Sequence, residues 1–138
     1  MKLELVAHTP NVETMIATSM LTTTSGAQPS TLHDRLLTKP EKVREVVGRA
    51  EVQHGNILEH NRLVWTLEAT SDEVLEATLD TSFLTFTRLD EMRWLVSGNL
   101  RAVVEYAQNR KTPLTDALVA SVKGVAPGIH RFLEDIKR

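Results

Sequence analysis

Cysteine is absent from this 138-residue chain. No disulfide framework, thiolate metal site or thiol nucleophile is therefore available, and the absence fits a reducing cytoplasm, the compartment we expect. A basic stripe is also lacking. The formal net charge is −2 with histidine neutral, and lysine and arginine are scattered along the sequence, so binding to nucleic acid is not expected. No apolar run approaches the ~20 residues that cross a bilayer. The opening "MKLELVAHTP" alternates charged and apolar residues, unlike a signal peptide. No membrane partner is expected. No repeat, low-complexity tract or linker divides the chain. What remains is an ordinary globular composition, 41% hydrophobic and 25% charged, which suits one domain over residues 1–138 with a core of its own.

Periodicity supplies the elements. "KLELVAH" alternates, with Leu3, Leu5 and Ala7 on one face, and reads as a half-buried strand. Thr9-Pro10 reads as an N-cap and first turn of a helix to about Leu21. "TTTSGAQPS" reads as a loop, followed by a short helix at 31–37. Pro40 opens a helix with Val43, Val46, Val47 and Ala50 at helical spacing, ended by "QHGN". "RLVWTLE" is a second alternating strand. Thr70 and Glu73 form a capping-box pattern ahead of a helix to about Leu79. "SFLTFTRLDEMRWLVSG" reads as two strands turning at Asp90-Glu91, and three helices follow, starting at Asn99, Thr112-Pro113 and Pro127. The mixture lacks strict strand–helix alternation. It predicts an α+β domain, a mainly antiparallel sheet packed with helices.

Two stretches carry residues that chemistry could use. In "SGNLRAVVEYAQNR", Leu100, Val103, Val104 and Ala107 form one apolar stripe, at about 100° per residue. Asn99 sits at the helix start, where free backbone N–H groups favour anions. Arg101 and Arg110 point to nearly opposite sides of a regular helix. Two ligands, or one site shared between subunits, would use both; an amphipathic helix with solvated arginines would use neither. The second stretch is "HGNILEH". A histidine–carboxylate pair among His54, Glu59 and His60 could move a proton; alternatively Glu59 and His60 cap a helix end and His54 is a partly buried hydrogen-bonding residue. Their spacing is not that of a zinc site, and no metal is expected. The hydroxyl run "TTTS" and the isolated His8, His33 and His130 read as turn and structural residues. Trp65, Phe83, Phe86 and Trp94 fall on predicted strands of a short sheet, and one sheet face left to cover predicts a homo-oligomer, a dimer or tetramer.

Taken in order, three segments resemble the flavin-dependent thymidylate synthases. "LELVAHTPNVETMIATSM" is similar to their opening strand and helix. "VQHGNILEHNRLVWTLEATS" is similar to their His-x-x-x-x-Glu-His segment and core strand. "VSGNLRAVVEYAQNR" resembles their Asn-x-Arg helix with its further arginine. The resemblance covers most of residues 1–110. It implies methylation of dUMP with FAD as hydride carrier and a folate as carbon donor, in a homotetramer with shared sites. It would place Asn99 and Arg101 near FAD, Arg110 on the pyrimidine nucleotide, and His54 along the same cleft. One part has no counterpart. The family's Arg-His-Arg segment should follow "TSDEVLEATL", where this chain reads "DTSFLTFTRLDEM" with the single arginine Arg88. Arginine forks are the usual partners of a nucleotide phosphate. The expected function is therefore a thymidylate synthase-like protein that retains FAD or dUMP binding without completing catalysis alone. The alternative is a non-catalytic oligomeric domain that partners a full-length paralogue.

Overall fold

The computed structural model describes residues 1–22, 24–49 and 52–137, with the side chains of 52–55 and 137 outside the described set. Its architecture is α+β. A four-stranded sheet in the order β1-β2-β4-β3 is antiparallel at every neighbouring pair. The strands are β1 Lys2–His8, β2 Leu63–Glu68, β3 Thr85–Arg88 and β4 Arg93–Gly98. The helices are α1 Val12–Thr22, α2 Pro29–Leu37, α3 Pro40–Gly48, α4 Ser71–Asp80, α5 Leu100–Asn109, α6 Pro113–Ser121 and α7 Pro127–Lys137. A 3-10 helix spans Val52–Glu59.

The sheet is packed on one face. Leu63, Trp65 and Leu67 on β2 and Val96 on β4 are buried beneath the helices, as strict alternation requires. The other face presents Glu4, Glu68, Arg93 and Leu95 to solvent. The buried side chains form a continuous cluster that takes in Ile16, Val46, Val103, Leu118 and Leu133 from α1, α3, α5, α6 and α7. No helix among the described residues is long and apolar enough to cross a membrane.

Several expectations are revised by tertiary contacts. Ala7 does not share a face with Leu3 and Leu5, because a bulge between Leu5 and Ala7 shifts the register, so that Leu5 pairs with Trp65 but Ala7 with Val64. One inserted residue reverses every side chain beyond it. Thr9 does not cap α1. Its hydroxyl accepts from the Arg62 N–H at 2.8 Å, and Asn11 takes a left-handed φ of 52° before the helix begins at Val12. "QHGN" is not the stop of the Pro40 helix, which ends earlier, at Gly48; it lies within the 3-10 helix. Ala50 lies outside the described residues. Of the four aromatics expected to expose a sheet face, Trp65 is wholly buried and Phe86 and Trp94 pack against the core. Phe83 alone is exposed, and it precedes β3.

Gly98 fixes the junction between sheet and α5. A Cβ there would meet Leu84 Cδ2 at 2.7 Å and the Phe83 carbonyl oxygen at 3.2 Å. The leucine can rotate, but the backbone carbonyl must move. Gly98→Ala is expected to lower stability by about 1–3 kcal/mol, read as a shift of the urea midpoint. An unchanged midpoint would mean that the Phe83–Leu84 segment is free to yield.

Candidate functional site

α5 starts where β4 ends. Asn99 is extended, and its Oδ1 accepts from Ala102 N–H at 2.9 Å, closing the first turn. A second asparagine does the same work from a distance. Asn61, between the 3-10 helix and β2, accepts from Leu100 N–H at 2.9 Å through Oδ1 and donates to the Leu58 carbonyl through Nδ2 at 2.8 Å. Two first-turn N–H groups of α5 are therefore taken by amide oxygens of the chain itself. That narrows the opening an anion would use. Asn61 is a positioning residue that periodicity does not reveal, because its partner lies 39 residues away.

Arg101 stands between two carboxylates. Its NH1 donates to Glu59 and its Nε donates to Glu105 Oε1 at 3.0 Å. The Glu59 contact, followed by that of Glu105, holds the guanidinium above its usual pKa. Arg110 lies outside α5. The helix ends at Asn109, and Arg110 is an extended C-cap residue whose N–H returns to the Tyr106 carbonyl at 2.9 Å. Its NH2 pairs with Asp80 Oδ1 of α4 at 2.7 Å. Tyr106, between these, is buried, and burial pushes its phenol up; its hydroxyl meets Thr112 Oγ1 at 3.1 Å.

The two arginines are thus brought to opposite ends of α5. They are nine positions apart, about 14 Å at a helical rise of 1.5 Å per residue. One phosphate cannot touch both in one chain. Arg88 joins neither: it lies over the Trp94 ring, 5.7 Å from the centroid, and donates to the Asp90 carbonyl at 3.1 Å. That is the hairpin end of β4, and Arg101 lies beyond the other end. The structure places the His54 backbone in the 3-10 helix that also carries Glu59, but the His54 side chain lies outside the described residues. Within the "TTTS" run, Thr22 and Thr24 donate to the Ser19 and Leu21 carbonyls and Ser25 accepts from Ala27 N–H, the behaviour of turn residues.

A cavity of about 560 Å³ opens between α3, α7 and the 3-10 helix. Val47, Leu58, Ile129 and Phe132 give it an apolar floor. Arg44 and Arg131 face Glu45 and Asp135 around its mouth. Its size suits a small molecule, but the balanced rim gives no preference for a nucleotide phosphate. Neither Arg101 nor Arg110 lines it. Comparison of the chain with protein-family models and with curated proteins gives no match.

Proposed function

We propose that this chain is a reduced flavin-dependent thymidylate synthase-like scaffold, a homo-oligomeric protein that assembles but does not methylate dUMP by itself. One observation carries the reading: no two of Arg88, Arg101 and Arg110 converge. Each is held by partners of its own chain in a different part of the fold. Phosphoryl chemistry and nucleotide capture rest on several charged donors meeting at one point. At any one of these three positions a phosphate would find a single guanidinium of this chain. At ~1.5–3 kcal/mol for a charged hydrogen bond, that falls short of stable nucleotide binding.

Retained FAD binding, with Asn99 and Arg101 as the contacts, is the competing reading, and one observation favours it. The Glu59 and Glu105 pairs to Arg101 are partly exposed, and such pairs are worth only about 0.2–1 kcal/mol. A phosphate that arrived there would displace them at small cost. Titration of the purified chain with FAD, followed by flavin fluorescence and repeated with dUMP and a folate present, separates the two. The expected result is no saturable response up to roughly 1 mM. Saturable binding that weakens in Arg101→Ala would overturn the scaffold reading and restore a flavin site.

A further inference from the structure

We draw no further inference here: the strongest candidate, the cleft of about 560 Å³ between α3, α7 and the 3-10 helix, lies over side chains already out of water (Val47, Leu58 and Ile129) beneath exposed rim charges of both signs, and nothing in the structure shows which ligand would fill it.

Discussion

Replacing Trp65 by alanine is expected to lower the unfolding free energy by about 3–5 kcal/mol. Trp65 is fully buried on β2, a central strand, and pairs with Leu5 of β1 on one side and Val96 of β4 on the other. Its indole N–H donates to Ser121 Oγ of α6 at 2.9 Å, and Ser121 in turn donates to the Leu118 carbonyl at 2.7 Å. One side chain thus joins the sheet to the helical layer by packing and by a hydrogen bond. A domain of this kind is stable by only ~5–15 kcal/mol, so the alanine variant should be close to unfolding at body temperature. Trp65→Phe separates the two contributions. It keeps most of the volume and loses the N–H, while Ser121 keeps its bond to Leu118, and it should cost about 1–2 kcal/mol. Urea denaturation of both variants checks the ranking. A loss below about 1 kcal/mol for the alanine variant would remove Trp65 from the core. The site should feel the change as well, because β2 pairs Leu63 with Gly98, immediately before the Asn99 cap.

The features that were legible in the sequence are those whose causes are local. The Asn99 cap and the Thr70–Glu73 box each span three residues, and both form as their spacing suggests. The burial of Leu63, Trp65 and Leu67 follows from alternation on a strand with one covered face. The Thr9-Pro10 pattern is locally just as good a cap, yet its hydroxyl serves Arg62, because the end of β1 lies beside the start of β2. That proximity belongs to the sheet, not to the segment. The bulge in β1 is hidden for a related reason: "KLELVAH" alternates in sequence whether or not a residue is inserted in the pairing.

The candidate site divides in the same way. Helix geometry sets Arg101 and Arg110 on nearly opposite sides of a regular helix; in the fold α5 ends at Asn109, and the two arginines stand at its opposite ends instead. Their carboxylate partners do not follow from sequence. Glu59 is 42 residues from Arg101, and Asp80 reaches Arg110 only because α4 ends against the end of α5. A guanidinium read as free for a ligand was therefore already engaged. Whether such engagement closes a site depends on exposure. Partly exposed pairs exchange readily, so it is the lack of convergence, and not the pairs themselves, that disfavours nucleotide capture.

Removing the Glu13 carboxylate should have the largest effect of any polar substitution at the helix ends. Glu13 sits in the first turn of α1, where an acidic residue ordinarily faces water and complements the helix dipole. In this fold it is buried and points across to α7. Its Oε1 accepts from Gly128 N–H at 2.6 Å and is 3.4 Å from Ile129 N. A carboxylate from one end of the chain thus caps a helix at the other, 115 residues away. Gly128 permits the approach, since a Cβ there would stand 3.0 Å from the same oxygen and 3.1 Å from Val47 Cγ1. Glu13→Ala leaves one part-buried and one buried donor without this acceptor and should cost about 1–3 kcal/mol, whereas Glu13→Gln keeps an acceptor oxygen and should cost roughly half of that. The cap acts on α7 specifically. Amide exchange in residues 128–132 should therefore quicken by more in the alanine variant than the global loss of stability accounts for, because α7 then frays from its first turn. Equal stability of both variants with wild type would show that the two N–H groups find water instead.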